Sequence, residues 1–161
     1  MNALDPLLRP RSIAMIGASS DPSRGNGRTL RYLIQGGFDG PLFAVNPRRA
    51  EVEGLRSWAS IESLPQPVDC AFVALPAQEV LATLRQCAAA GTRAAVVFAG
   101  GFAETGEEGR QAQAEITRLC RETGMRVLGP NSLGAYDARG RSFMTFSSMF
   151  EEGFASGGRI G

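Results

Sequence analysis

Short, continuously apolar runs alternate along the chain with stretches whose apolar residues recur at helical spacing. The first run, Ser12 to Ile16, stops at Gly17. A polar, glycine-bearing loop follows, and Leu30, Leu33 and Ile34 then share a helical face that Gly36 and Gly37 terminate. Leu42 to Val45 predicts a second strand, broken by Asn46 and Pro47, and Cys70 to Ala74 a third, cut off by Pro76. Val80, Leu81, Leu84, Cys87 and Ala88 share a face of a helix over 77–90, ended by Gly91. Ala94 to Phe98 is a fourth strand. Thr105 and Glu108 have capping-box spacing ahead of a helix marked by Ala112, Ile116, Leu119 and Cys120. Arg126 to Leu128 is a fifth strand, closed by Gly129 and Pro130, and the pattern predicts one more over 142–146.

Strands that are apolar along their whole length must be covered on both faces, and helices between them supply the cover. With right-handed crossovers the expected fold is α/β: a Rossmann-like, doubly wound, mainly parallel sheet with helices on both faces. One domain is expected over 1–146. The segment 147–161 ends on Gly157, Gly158, Arg159, Ile160 and Gly161 and reads as a linker towards a second domain.

Composition narrows the function. Of 161 residues 43% are hydrophobic and 20% charged, which suits a globular core. The formal charge is +1 and no basic stripe stands out, so neither nucleic acid nor an anionic membrane is an expected partner. The sequence contains no histidine and no lysine. That excludes His-based triads, His metal ligands, phosphohistidine, Schiff-base lysines and the Walker lysine. No catalytic residue or metal site is therefore assigned. Cys70, Cys87 and Cys120 are odd in number, without a CxxC pair, and read as core thiols of a reducing compartment. No segment reads as a signal peptide or approaches the roughly 20 apolar residues of a membrane helix. A cytoplasmic protein is expected.

In an open parallel sheet the ligand site lies beyond the carboxyl ends of the strands. After the first strand come Gly17, Ala18, Ser19, Ser20, Asp21, Pro22, Ser23, Arg24, Gly25, Asn26 and Gly27, opening into a helix. Glycines allow close approach, a helix N-terminus offers N–H groups to phosphate, and Ser19, Ser20, Ser23 and Arg24 add donors. A side chain at Gly17 is expected to fill space that a ligand needs. The NAD signature is incomplete, because the loop lacks GxGxxG and the second strand ends in Asn46, Pro47, Arg48 and Arg49 rather than an acid. Two arginines suit a phosphorylated ribose, as in CoA or NADP; the alternative is two solvated arginines on a turn. Leu75 and Pro76, then Phe98, Ala99, Gly100 and Gly101, then Asn131 follow the later strands on the same edge. A ligand with a diphosphate head and a long amide-bearing arm could touch all of them.

These segments resemble a known family. Arg11 to Ser19, Val45 to Pro47, Ala74 to Pro76, Gly101 to Glu104 and Gly129 to Gly134 look like the CoA-binding domain of NDP-forming acyl-CoA synthetases. That group includes the ADP-forming acetyl-CoA synthetases and is related to the succinyl-CoA synthetase alpha subunit. The resemblance covers about residues 5–146. It implies that Gly17 to Pro22 cradle the CoA phosphates and that Asn46, Pro47 and Arg48 flank the adenosine end. Pro76 and Phe98 to Gly101 would border the nucleotide and pantetheine, with Asn131 nearer the thiol. It further implies partnership with the remaining synthetase domains or a second subunit, where a phosphohistidine relay runs. The lysine that contacts CoA in the succinyl enzyme has no counterpart here, and Arg24 or Arg48 are the candidates to replace it. Three functions are compatible with the residues: a CoA-binding synthetase module that is inactive alone, an NADP-binding domain of an oxidoreductase, and a non-catalytic CoA or nucleotide sensor. Some members are fused to acetyltransferase modules, which leaves the parent reaction open.

Overall fold

The runs that read as two-sided strands are buried on both faces. β1 (Ile13–Ile16) sends Ile13 and Met15 into one apolar cluster and Ala14 and Ile16 into another, across the sheet. β5 (Cys70–Val73) and β6 (Ala94–Val97) divide their residues the same way. Alternate side chains on a pleated strand point to opposite faces, so an all-apolar strand needs a layer on each. On one face α1 (Asp5–Leu8) contributes Leu7 and α2 (Gly25–Gln35) contributes Leu30 and Leu33. On the other, α3 (Ala77–Ala89) buries Val80, Leu84 and Cys87, and α4 (Glu107–Thr123) buries Ile116 and Leu119. This computed structural model describes residues 2–154.

β2 (Leu42–Val45), β4 (Leu55–Trp58) and β7 (Arg126–Leu128) complete the parallel part of the sheet, and β3 (Glu51–Val52) runs antiparallel at one edge. The strand order is β3-β4-β2-β1-β5-β6-β7. Ile16 of β1 pairs with Val45 of β2 on one side and Val73 of β5 on the other. The chain builds outward from β1 in one direction and from β5 in the other, so the switch point lies between them. The expected Rossmann-like, doubly wound α/β fold is present.

Details depart from the pattern. Ile34 is 39% exposed although Leu30 and Leu33 are fully buried, and Tyr32 is buried in its place. Thr105 makes no capping box: its hydroxyl donates to the Phe102 carbonyl at 2.8 Å and Gly106 is the N-cap of α4. Pro76 sits at the N-cap of α3, one position before the helix. Two hairpins are present, and of their four strands the apolar pattern marks one, the last. One is β3–β4, turned by Glu53 and Gly54 at φ 51° and 77°. In the other, β8 (Gly134–Asp137) pairs antiparallel with β9 (Ser142–Thr145) and lays Phe143 and Met144 against the α2 layer. Of the segment read as a linker, Phe150 is buried against Tyr32 and Phe143, while 155–161 lies outside the described residues. Cys70 and Cys87 are buried free thiols, and burial pushes the Cys87 thiol up to about 12. Cys120 is half-buried. No helix of the described residues is long and apolar enough to cross a membrane.

The amino end of β5 is tied down by charge. Asp69 accepts from the Arg11 backbone N–H and Nε, each at 3.0 Å, and from Arg93 Nη2 at 2.7 Å. The Ser12 hydroxyl accepts the Asp69 N–H at 2.9 Å. Burial pushes the Asp69 carboxyl up, but the guanidinium hydrogen bonds outweigh it and hold it at about 2. A carboxyl lowered in the folded state stabilises above its unfolded value, and that contribution fades as pH falls through the folded value. Asp69→Asn is therefore expected to cost about 1–3 kcal/mol at neutral pH. The difference from wild type, read from urea melts, should shrink between about pH 4 and pH 2. A difference that stays constant down to pH 2 would contradict this account.

Candidate functional site

The loop from β1 into α2 is shaped by two side-chain amides and two glycines. Gly17 has φ 80°, and a Cβ on it would lie 2.4 Å from the Ala74 carbonyl oxygen at the end of β5. The space that a side chain would fill at Gly17 therefore belongs to the neighbouring strand end and not to a ligand. The N–H groups of Gly17 and Ala18 both donate to Val45 O of β2, at 3.0 and 3.2 Å. Their carbonyls are held from the other side: Asn26 Nδ2 donates to Gly17 O at 2.6 Å and Asn46 Nδ2 to Ala18 O at 2.9 Å. Gly27 is as constrained as Gly17, because a Cβ there would meet Asp21 O at 2.0 Å.

That arrangement decides which N–H groups remain for a ligand. The first turn of a helix has no intrahelical acceptors for its N–H groups. The Gly27 N–H is taken by Asn26 Oδ1 at 3.0 Å and the Arg24 N–H by Asp21 O at 3.1 Å. Ser19, Ser20, Gly25 and Asn26 keep backbone N–H groups with no acceptor among the described residues. Ser23 is not available as the expected donor: its hydroxyl and N–H both go to Asp21 Oδ1, at 2.6 and 3.0 Å. Those bonds hold the Asp21 carboxyl below its usual range. Arg24 Nε lies 3.3 Å from Asp21 Oδ2, so part of its charge is engaged, and Pro22 is exposed in the turn between them.

Across the cleft, Asn46 fixes the end of β2. Its N–H donates to Trp58 O, its carbonyl accepts from Ser57 Oγ, and its Oδ1 accepts the Arg48 N–H at 2.9 Å. The turn presents Pro47, Arg48 and Arg49 to solvent, and neither guanidinium has an acidic partner among the described residues. Gly17, Ala18, Ser19, Ser20, Arg24, Asn26, Asn46, Arg48 and Arg49 thus line one cleft of about 330 Å³, together with Val52 and the hydrogen-bonded Asp21. Such a cleft presents backbone N–H groups and guanidinium cations, the donor set of a phosphate site.

The remaining candidates continue the same edge. The Leu75 side chain lies 3.2 Å from the Cβ position of Gly17, and Pro76 follows it. A Cβ on Gly25 would be 2.9 Å from the Phe98 ring, so loop and β6 end touch. Ala99 O accepts the Asn131 N–H at 2.8 Å, and Asn131 Oδ1 lies 3.5 Å from the Cβ position of Gly100. Gly101, at φ 98°, donates its N–H to Glu104 Oε1 at 2.7 Å. Glu104 is held below its usual range by backbone N–H groups of its own turn, including those of Gly101 and Phe102. The structure thus brings the expected residues into one strip from the end of β2 to the end of β7. Asn26, Glu104 and Phe146 join it without having been assigned a role. Asn26 lay inside the quoted loop, and its only sequence signal was an amide one residue before a helix-opening glycine.

Comparisons with known proteins bear on the family of the chain. A family model described as "CoA binding domain" matches residues 11–137. A trans-feruloyl-CoA synthase from an unknown prokaryotic organism is 41% identical over 89% of this chain and 20% of its own length. The alpha subunit of an ADP-forming acetate–CoA ligase II of Pyrococcus furiosus is 35% identical, over 93% of this chain and 33% of its own. Among solved structures, dinucleotide-forming acetyl-coenzyme A synthetase 1 of Ca. Korarchaeum cryptofilum, in complex with phosphate and ADP, superposes with a TM-score of 0.85 at 38% identity. It covers 91% of this chain and 31% of that one. The chain spans a third or less of the length of these relatives.

The close approach at Gly17 predicts its own measurement. Gly17→Ala adds both a left-handed penalty and a backbone clash, and should lower stability by about 2 kcal/mol or more. Gly54→Ala is the control, since Gly54 has φ 77° with nothing within 4 Å and carries the penalty alone. Equal losses for the two variants in ligand-free denaturation would show that the approach to Ala74 is not what fixes the loop.

Proposed function

The chain belongs to the CoA-binding domain family, and from that premise we propose how its strand edge holds CoA and what reaction it serves. The diphosphate lies against the free N–H groups of Ser19, Ser20, Gly25 and Asn26 at the amino end of α2, with Arg24 beside it. The 3′-phosphate and adenosine occupy the far side of the cleft, against Asn46, Pro47, Arg48 and Arg49. The pantetheine arm runs across the switch point past Leu75 and Pro76, then Phe98, Ala99, Gly100 and Gly101, with Asn131 towards the thiol. The observation that carries this reading is the cleft itself: backbone donors without an acceptor among the described residues stand with two guanidinium groups that have no acidic partner among them.

The module serves an NDP-forming acyl-CoA synthetase, which interconverts acyl-CoA, NDP and phosphate with carboxylate, CoA and NTP. These 161 residues supply the CoA and leave the phosphoryl relay to residues outside them, because the sequence offers no histidine to phosphorylate. Their partners are CoA and the rest of that enzyme. The three free cysteines, two buried and one half-buried, fit a reducing cytoplasm.

Two outcomes are expected. Calorimetry should find CoA bound more tightly than dephospho-CoA by about tenfold, the value of a charge-assisted phosphate contact, with NADP and NAD weaker still. Equal affinities for the first two would remove Arg48 and Arg49 from the site. The purified 161-residue chain, given ATP, acetate and CoA, should form no acyl-CoA, and measurable turnover would place the relay inside it.

A further inference from the structure

Two aromatic rings stand against the first turn of α2. A Cβ on Gly25 would lie 2.9 Å from the Phe98 ring and 3.3 Å from Phe146 Cγ, so both rings crowd the residue that opens the helix. They meet edge to face, with centroids 4.7 Å apart and an interplanar angle of 86°. Phe98 leans in turn on Phe72 of the sheet, at 6.4 Å. Phe146 arrives from elsewhere, directly after β9, and its position is secured from both sides of the strip. Thr145 Oγ1 donates to Leu133 O at 2.8 Å, two residues beyond Asn131. Arg28 Nη1 donates to Phe146 O at 3.2 Å from α2 itself. Both rings are half-buried, and neither carries a polar atom.

An apolar corner therefore adjoins the N–H groups of Gly25 and Asn26 and borders the turn from Phe98 to Gly101. The chemistry of CoA changes abruptly at that place. One methylene beyond its diphosphate is a quaternary carbon bearing two methyl groups, an apolar knot beside the most charged part of the molecule. Burial of those methyls needs a wall that offers carbon and competes for no hydrogen bond. We propose that Phe146 is a CoA-binding residue, packing with Phe98 against the dimethyl segment of the pantetheine arm, so that the β8–β9 hairpin forms one wall of the site. This rests on the reading of the strand edge as the CoA site. Substitution of Phe146 removes a contact to the arm and none to the nucleotide.

The test is calorimetry on the 161-residue chain with two probes: CoA, and adenosine 3′,5′-bisphosphate, which lacks the arm. Phe146→Ala should weaken CoA by about tenfold and leave the bisphosphate within about twofold, the scale of one lost aromatic contact. Phe146→Leu keeps apolar bulk beside Gly25 and should weaken CoA by about threefold, again with no change for the bisphosphate. If the alanine variant melts below the assay temperature, the leucine variant decides. Unchanged CoA binding, or equal losses for both probes, would overturn the proposal, the second because it marks a general distortion of the edge. A wild-type chain that binds the bisphosphate but gains nothing from the arm would overturn it too. A wild-type chain that binds neither probe would remove the CoA reading itself.

Discussion

The missing side chain at Gly17 lets the ends of β1 and β5 come together at the point where the chain reverses its direction of growth. The Ala74 carbonyl occupies the place where any Cβ would project, at 2.4 Å. With the strand ends that close, the backbone of Gly17 and Ala18 can bond sideways to Val45 while Asn26 and Asn46 hold the two carbonyls. The loop is then fixed before any ligand arrives, with its carbonyls occupied and its later N–H groups free. Preorganised donors spare the entropy of ordering a loop on binding. The cleft and the close approach of Leu75 to Gly17 both follow from that junction.

The division of the sheet explains what could be read in advance. Strands β1, β5 and β6 are covered by helices on both faces, so their sequences are apolar without interruption. The motifs at their carboxyl ends are contiguous, and they surfaced together. β3 and β4 lie at an edge and carry Glu51, Arg56 and Ser57, which breaks any run, and only the Glu53-Gly54 turn betrays them. Asn26 and Phe146 were silent for another reason. The partner of the Asn26 amide is nine residues away in a loop with no regular period, and the Arg28 contact to Phe146 spans 118 residues. The capping box at Thr105 misled because the chain makes a turn over Ala103–Thr105 first, and the Thr105 hydroxyl is used inside it.

Opposite ends of the sheet use charge differently. At the amino edge Asp69 is enclosed by two arginines, and the network is complete within the protein. At the carboxyl edge Asp21 and Glu104 are satisfied by their own turns, while Arg48 and Arg49 are left over. Hydrogen bonds satisfy those two carboxylates within their own turns, which leaves the two guanidinium groups beside the cleft to meet a phosphate.

The cations left over are guanidinium groups, and this has a chemical consequence for a CoA-binding domain. An activated acyl group transfers readily to a free amine, and lysine is the side chain on which such adducts accumulate. Arginine stays protonated at every physiological pH and is a poor acyl acceptor. If the cleft takes its phosphate contacts from Arg24, Arg48 and Arg49, as proposed, it offers a bound thioester no amine to acylate. On that reading the residues that attract the ligand are also the ones that an acyl group does not label.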